Sequence, residues 1–503
     1  MGRLLLCITL AITVLLPGCA TVKNPVTGKN EHTVMDERSE MAEGAKAHPQ
    51  ILAEFGEYKD PELQAYVNEV GQRLAKVSHR PELDWHFTVL DTPDVNAFAL
   101  PGGYVYVTRG IMAYMHSEAD LAGVIGHEIG HVTARHGSQR ATREQTAGIG
   151  VLAATLLGVV LESQGVRGAA SAASQASQGV AAGYVARYSR GQESQADKLG
   201  AEYLSRVNYD PHNMVDVIKV LENQERFAAD QARAEGRAPR KGGSDYLASH
   251  PSNEQRLREI TQIANQYQAK ASYGDEGHNR YLQMIDGVSF GESAEQGVTR
   301  GRNFYHEPLG IALTAPAGWR FQNSRDALAL VNGESNAAVI VKAVPAQAGN
   351  SHEDIIRNAI KPNSGKMERR TFNGLPATHF SGTVKDENGQ SQGVELTLVT
   401  GPANMNYALI YLAKDQQSLR QAYPQIQQAE SSFRAMTTAD RDAARPWKLK
   451  SVPYPAGGFA ELAKHSPLAN NAEQQLRLLN GVYGGGDVKP GDLVKVVEPA
   501  DLA

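Results

Sequence analysis

Two histidines spaced one helical turn apart, His127 and His131, constrain the fold of this chain more than any other feature. Ser117 can cap a helix, and the acidic residues that follow it suit the positive end of a helix dipole. Apolar residues then recur at helical spacing and give a buried face: Leu121, Val124, Ile125, Ile129 and Val132. The pattern predicts a helix from Ser117 to near Gly137, with both histidines beside buried surface.

Two imidazoles on one helix face can each offer a ring nitrogen to Zn²⁺ at about 2.0–2.1 Å. Glu128 is rotated from His127 by about 100°, so it suits a general base acting on a metal-bound water better than a third ligand. The alternative is two surface histidines on an amphipathic helix, and the apolar flanks argue against it. Gly126 and Gly130 each cost about 0.8–1.0 kcal/mol inside a helix, which indicates a close packing contact.

A catalytic zinc needs a third protein ligand, and Glu193 on a later predicted helix, 192–207, is a candidate. Asp197, one turn further on, could accept a hydrogen bond from a ligand histidine and fix its tautomer. The alternative is that these acids only complement the dipole at the start of their helix. His136 lies five residues after His131, so we expect it to point away from the ligands and to be structural.

The N-terminus predicts an export signal. Arg3 precedes an apolar run, 4–16, that is too short to span a bilayer and that ends in Leu-Pro-Gly-Cys19. This ending resembles the bacterial lipobox, which implies a signal peptide over 1–18 and lipidation of Cys19. The alternative is a plain signal peptide with a chance cysteine. Ala20 after the cysteine favours, by resemblance to enterobacterial sorting, an outer-membrane anchor facing the periplasm.

The length of 503 residues predicts two or three domains, and the net charge of −5 gives no basic surplus for a nucleic-acid partner. We expect an α+β chain divided into a tether, a metallopeptidase domain, a linker, a second α+β domain and a tail. The expected ranges are 19–36, 37–272, 273–302, 303–437 and 438–503. The turn at 315–319 resembles PsbP-like domains, and 489–496 resembles the second half of a LysM module.

Three motifs together resemble a known family. They are His127-Glu-Ile-Gly-His131 with its continuation to His136, the segment from Ser189 to Asp197, and Asn96-Ala-Phe-Ala-Leu-Pro-Gly-Gly103. They are similar to the gluzincin metallopeptidases that include HtpX and the CAAX prenyl endopeptidases, in particular the bacterial periplasmic BepA/LoiP-like lipoprotein branch. The resemblance covers about 35–270 and implies a mainly helical zincin domain with a small antiparallel sheet.

The resemblance also implies roles for individual residues. His127, His131 and Glu193 would bind one Zn²⁺, with Glu128 as the general base. Four residues of a predicted strand would pair with the substrate backbone: Gly103, Tyr104, Val105 and Tyr106. His250, in a Ser-His-Pro element, would stabilise the oxyanion or occupy the open metal position, and Arg256 would hold His250 or an acid. Both could equally be structural.

The expected function is therefore a lipid-anchored zinc endopeptidase that cleaves unfolded or misassembled envelope proteins. Two alternatives remain open at this point. One is an envelope assembly or chaperone-like factor with secondary proteolysis, because two further C-terminal modules are predicted. The other is a cell-wall-associated protein that binds peptidoglycan through the LysM-like tail.

Overall fold

The computed structural model describes residues 20–146, 188–234, 250, 254–268, 273–324, 327–385, 390–468, 471–486 and 488–500. These residues form a mixed α+β structure, as expected. The predicted signal peptide and Cys19 lie outside the described residues. Among the described residues, no helix combines the length and the apolar character needed to cross a membrane.

The N-terminal half carries the candidate site. Its helices are α1 (Glu37–Phe55), α2 (Pro61–Lys76), α3 (Arg109–Tyr114), α4 (Glu118–Thr133), α5 (His136–Thr146), α6 (Arg190–Arg206), α7 (Asn213–Ala234), α8 (Glu254–Gln268) and α9 (His278–Ile285). Its strands are β1 (Ala20–Lys23), β2 (Asn30–Thr33), β3 (His86–Leu90), β4 (Ala97–Leu100), β5 (Tyr104–Thr108) and β6 (Ser289–Phe290).

The expected N-terminal tether is instead a β-hairpin that packs on the helical domain. β1 and β2 pair in antiparallel register, with Ala20 opposite Thr33. The Asn24 side chain between them is fully buried and donates to the carbonyl of Ala134 at 3.1 Å. A polar segment is ordered here because its Asn supplies a hydrogen bond to the end of the α4 region.

The small sheet has the order β3-β5-β4, and this corrects two expectations. β3 and β5 run parallel while β4 and β5 run antiparallel, so the sheet is mixed and not antiparallel. β5 is the central strand, paired on both sides. Gly103 to Tyr106 therefore cannot accept a substrate strand, and the edge strand within the Asn96–Gly103 motif is β4.

Helix α4 begins as predicted, since the Ser117 side chain accepts a hydrogen bond from the amide of Asp120. It ends earlier than predicted, at Thr133, because Arg135 adopts a left-handed φ of 61°. Helix α6 begins at a capping box in which Ser189 and Gln192 bond each other's backbone amides. A Cβ at position 130 would lie 2.9 Å from a carbonyl of α6, so α4 and α6 are in direct backbone contact.

The second α+β unit is built on a seven-stranded antiparallel sheet of order β10-β11-β12-β16-β15-β14-β13. The strands of this unit are β7 (Val298–Arg300), β8 (Asn303–His306), β9 (Ile311–Thr314), β10 (Arg320–Asn323), β11 (Leu328–Val331), β12 (Ala337–Ala343), β13 (Ser364–Phe372), β14 (Leu375–Lys385), β15 (Ser391–Thr400), β16 (Asn406–Ala413) and β17 (Arg434–Ala435). Its helices are α10 (His352–Ile360), α11 (Gln416–Ser431) and α12 (Thr438–Ala443), with 3₁₀ turns at Ala346–Ala348 and Pro402–Asn404. β8 and β9 form an antiparallel hairpin.

The C-terminal segment forms β18 (Trp447–Pro453), α13 (Gly458–Ala463), α14 (Ala472–Leu479) and β19 (Leu493–Pro499). β18 pairs with β19 and also with β6, which precedes the second unit in the chain. The apolar residues of the C-terminal segment share one buried core with the helical domain. Helix α9, which lies within the expected linker, belongs to the same core. The buried Lys495 ammonium donates to the carbonyls of Ala113 and Met115 at 2.7 and 2.6 Å, at the end of α3. The expected independent tail is thus an integral part of the helical domain.

Candidate metal centre

Four buried side chains from three parts of the chain converge on one point: His127, His131, Glu193 and His250. Helix α4 supplies the first two, one turn apart, and the start of α6 supplies Glu193. The Nε2 atoms of His127 and His131 lie 3.0 Å apart. Each of these Nε2 atoms lies 3.5 Å from a carboxylate oxygen of Glu193. His250 Nδ1 lies 3.2 Å from His127 Nε2 and 3.1 Å from Glu193 Oε1.

These spacings match a tetrahedral zinc site. With zinc–ligand bonds of about 2.0–2.1 Å, tetrahedral ligand atoms are about 3.3–3.4 Å from one another. The five separations, 3.0 to 3.5 Å, fall around that value, with Glu193 Oε2 facing His127 and Glu193 Oε1 facing His131 and His250. Three nitrogens and one carboxylate oxygen are also the donor types that zinc prefers. The residues present therefore fit one Zn²⁺.

Asp197 and Arg256 contact the ligand candidates and fix their positions. His127 Nδ1 lies 2.9 Å from Asp197 Oδ1, so a proton on Nδ1 leaves Nε2 free as a ligand atom. The Arg256 guanidinium donates to both Asp197 oxygens, at 2.7 and 2.8 Å. It also lies 2.9 Å from Glu193 Oε2 and donates to the backbone carbonyl of His250 at 3.1 Å. Arg256 thus connects the ligand candidate Glu193, the Asp197 carboxylate that supports His127, and the backbone of His250.

His131 is oriented by a second relay that sequence reasoning did not find. His131 Nδ1 lies 2.8 Å from His136 Nδ1, and His136 Nε2 lies 3.0 Å from the side-chain oxygen of Gln195. Because that oxygen only accepts, His136 carries its proton on Nε2, and its Nδ1 accepts from His131 Nδ1–H. His131 Nε2 is then left unprotonated toward the other ligand atoms. His136 reaches His131 because the left-handed Arg135 ends α4 and starts a new helix.

Glu128 faces the same cluster without taking part in it. Its carboxylate is fully buried, and neither oxygen has a hydrogen-bond partner within the described residues. His250 Nε2 lies 3.6 Å from Glu128 Oε1. A buried carboxylate that faces the ligand atoms is in a position to accept a proton from a water at the cluster, as a general base requires.

Burial and the neighbouring charges set the pKa values of the site. Burial raises the pKa of Glu128 above its ordinary value. Burial also favours neutral His127, but hydrogen bonds and charges from Asp197 and Glu193 outweigh it and raise the pKa of His127 to about 9. Burial disfavours ionised Glu193, yet His250 and the other two histidines hold the pKa of Glu193 well below its usual range. Glu193 is therefore an anion, as a ligand must be.

Tyr188 and the edge strand border the cluster on one side. The Tyr188 ring stacks on His131 with 3.9 Å between ring centres. A small cavity joins these two residues to Ala99 and Leu100 of β4. Tyr188 lies outside every motif that pointed to the site, so no spacing rule could have identified it.

The remaining predicted residues are placed as follows. His250 is brought to the ligand atoms, whereas its motif neighbours Ser249 and Pro251 lie outside the described residues. Asn96, at the start of the edge strand, is buried. A further apolar run rich in small residues, 146–161, lies outside the described residues except for its first residue.

Comparison with known proteins identifies the domain that holds this cluster. Residues 61–264 match the model of Peptidase family M48. The chain is 27% identical over 292 residues to the Beta-barrel assembly-enhancing protease of Yersinia pestis, covering 54% of this chain and 57% of the relative. It is 30% identical over 211 residues to the protein of that name from Escherichia coli K12, covering 41% and 40%.

The Mitochondrial metalloendopeptidase OMA1 of Schizosaccharomyces pombe is 29% identical over 244 residues, covering 47% of this chain and 65% of the relative. The chain thus spans about half the length of these curated relatives. The solution structure of cyanobacterial PsbP from Synechocystis covers 28% of this chain and 98% of its own, with 13% identity and a TM-score of 0.19. The family match spans α2 to α8 and contains every residue of the metal cluster: this chain contains a domain of peptidase family M48.

Proposed function

We propose that this protein is a zinc-dependent endopeptidase. The observation that carries the proposal is the cluster of His127, His131, Glu193 and His250, whose donor atoms have zinc-like spacing beside the buried carboxylate of Glu128. Membership of the M48 family and the printed names of the relatives, a protease and a metalloendopeptidase, support it.

In this proposal His127, His131 and Glu193 bind the metal, which when bound supplies Lewis acidity and makes a water acidic enough to deprotonate near neutral pH. Glu128 accepts a proton from the attacking water at a carboxylate oxygen and delivers it to the departing amine. His250 would donate a hydrogen bond to the substrate oxygen that becomes negatively charged. Arg256 and Asp197 keep the ligand set in position.

The substrate would bind as an extended strand on the edge of β4 that has no strand partner among the described residues. The amide of Thr108 donates to the carbonyl of Asn96, so by the alternation of an antiparallel ladder Phe98 and Leu100 also face β5. The backbone groups of Ala97 and Ala99 then face away from β5, toward the open edge. This assigns to β4 the role that the resemblance placed on Gly103–Tyr106, and pairing of this kind suits unfolded polypeptide.

Unfolded or misassembled envelope proteins are the substrates we propose. The lipobox-like ending at Cys19 and the name of the Yersinia pestis relative, which refers to β-barrel assembly, support this location and substrate class. The anchor is tested by labelling with a palmitate analogue. Wild type should incorporate it and Cys19→Ser should not; equal labelling of both would remove the anchor from the proposal.

The central test uses Glu128→Gln, with Glu69→Gln on the exposed face of α2 as the matched control. Glu128→Gln should keep about one zinc per chain by elemental mass spectrometry while losing cleavage of an unfolded protein such as reduced casein. Glu69→Gln should keep both. Undiminished cleavage by Glu128→Gln, or wild type without zinc, would refute the proposal.

A second candidate, an envelope assembly factor with secondary proteolysis, is favoured by the separate core of the seven-stranded unit, which contributes none of the cluster residues. Cells that carry only Glu128→Gln decide between the two: a wild-type envelope phenotype supports the assembly role. The peptidoglycan-binding alternative is tested by sedimenting the intact protein with purified peptidoglycan, and a protein that stays in the supernatant contradicts it.

A further inference from the structure

The Tyr188 ring covers one face of the ligand candidate His131. The two rings have 3.9 Å between their centres and 20° between their planes. Most aromatic pairs are separated by about 4.5–7 Å, so these two rings are in unusually close face-to-face contact. Both residues are buried, Tyr188 with 8% and His131 with 1% of its surface exposed. The phenol ring is therefore an immediate neighbour of the metal cluster, although it offers no ligand atom to it.

Two other contacts hold Tyr188 in this position. Its backbone directly precedes Ser189, whose side chain caps α6 and so fixes the path by which the chain enters that helix. The guanidinium of Arg140, from α5, lies over the ring at 5.7 Å from its centre, within the range of a cation–π contact. The ring is thus held by α5 and α6, whereas His131 belongs to α4. Tyr188 can therefore act as a fixed surface against which the imidazole packs.

This surface restrains a motion of His131 that its hydrogen bond leaves free. The contact between His131 Nδ1 and His136 Nδ1, at 2.8 Å, fixes one atom of the imidazole and its tautomer. The last side-chain torsion of a histidine has broad minima, so the ring could still tilt about that atom. A tilt would move His131 Nε2 away from the other ligand atoms. The Tyr188 ring opposes it, because at 3.9 Å there is no space for the imidazole to turn on that side.

The hydroxyl of Tyr188 takes no part in this arrangement. It forms no hydrogen bond with another residue in the part of the chain that the structure describes. The buried hydroxyls of Tyr106, Tyr203 and Tyr281 in the same domain each have a hydrogen-bond partner. The contact that Tyr188 makes with the metal cluster is therefore that of its ring face.

We propose that Tyr188 is a positioning residue for the metal, whose ring holds the His131 imidazole in the orientation that zinc binding requires. The inference rests on the zinc site of the proposed function and adds to it a residue outside the ligand set and its hydrogen bonds. Tyr188→Leu keeps a buried apolar side chain but removes the flat ring face. Tyr188→Phe keeps the face and removes only the hydroxyl. The two variants therefore separate the stacked contact from burial and from the hydroxyl.

The test measures zinc affinity by competition with a chromophoric chelator. Tyr188→Leu should bind zinc about 2- to 10-fold more weakly than wild type, as expected for the loss of one aromatic contact, and Tyr188→Phe should bind it as wild type does. Phe87→Leu is the matched control. Phe87 stacks on Trp85 with 8° between the ring planes and is 6% exposed, but it lies outside the metal cluster. This control should lower the melting temperature of the metal-free protein and leave zinc affinity unchanged.

Three results would each overturn the inference: wild-type zinc affinity in Tyr188→Leu, an equal loss in Tyr188→Phe, or an equal loss in Phe87→Leu. Cleavage of reduced casein by the wild type, measured at saturating zinc, separates this inference from the peptidase function. A wild type that binds zinc without cleaving, with the expected order of affinities among the variants, refutes the peptidase and supports the role of Tyr188. Cleavage with equal zinc affinity in all variants does the reverse. A wild type that binds no zinc refutes both.

Discussion

The relay behind His131 leads to a prediction about metal affinity. The His136→Leu substitution removes the acceptor that lies 2.8 Å from His131 Nδ1 and leaves that N–H without its partner in a buried site. Loss of such an outer partner weakens metal binding by about 10- to 100-fold, or about 1.4–2.7 kcal/mol. The loss arises because His131 can then place its proton on Nε2, the atom that must face the metal.

His136→Asn is the matched variant, because the Asn side-chain oxygen can take the place of the His136 Nδ1 acceptor. Zinc affinity is measured by competition with a chromophoric chelator, and folding is checked by thermal unfolding of the metal-free proteins. We expect weak binding for Leu and near-wild-type binding for Asn. Wild-type affinity in His136→Leu, or an equal loss in both variants, would refute the tautomer argument.

Three further predictions concern the elements around the site. Gly130→Ala should separate α4 from α6 and lower both the zinc occupancy and the free energy of unfolding. Gly126→Ala, whose Cβ would have ordinary 3.4 Å contacts, should instead stabilise the protein by up to about 1 kcal/mol, and urea unfolding and zinc analysis of both variants test this difference. Arg256→Met breaks a buried ion pair and should lower the free energy of unfolding by about 3–5 kcal/mol, whereas the exposed Arg258→Met should lower it by less than about 1 kcal/mol. Equal losses of the two variants in chemical unfolding would contradict the role assigned to Arg256. Burial lowers the pKa of Lys495 to about 7, below its unfolded value. Between pH 7 and 10 the unfolded state therefore binds more protons than the folded state, so the free energy of unfolding should rise with pH, and Lys495→Met should flatten that slope.

Local chemistry made the two ligand helices predictable. Ser117 caps α4 as expected. The i, i+4 pair in α4 and the Glu193–Asp197 spacing in α6 depend only on helix geometry, so the side chains that meet at the metal cluster could be named beforehand. His250 and Arg256 came from the family resemblance, and the structure brings both to the cluster.

Long-range features could not be predicted in the same way. The position of β5 between β3 and β4 is decided by pairing between distant segments, so the role of substrate strand, carried over by resemblance, was assigned to the central strand β5. The contact of His136 depends on the left-handed backbone of Arg135, a residue type with no preference for that region. β13 is mostly exposed and rich in charged residues, so it lacks the apolar alternation by which strands are recognised.

The return of the chain through β18 and β19 has a consequence for biosynthesis. The metal ligands of α4 are made early, but the core behind them also contains Val494, Val496 and Val497, and Lys495 bonds the end of α3. At about 5–20 residues per second, roughly 20–70 s of translation separate these parts. A nascent or truncated chain would therefore carry the cleavage machinery on an incomplete core. With the proposed peptidase function, proteolysis would therefore begin only after β19 has joined the core that supports α4.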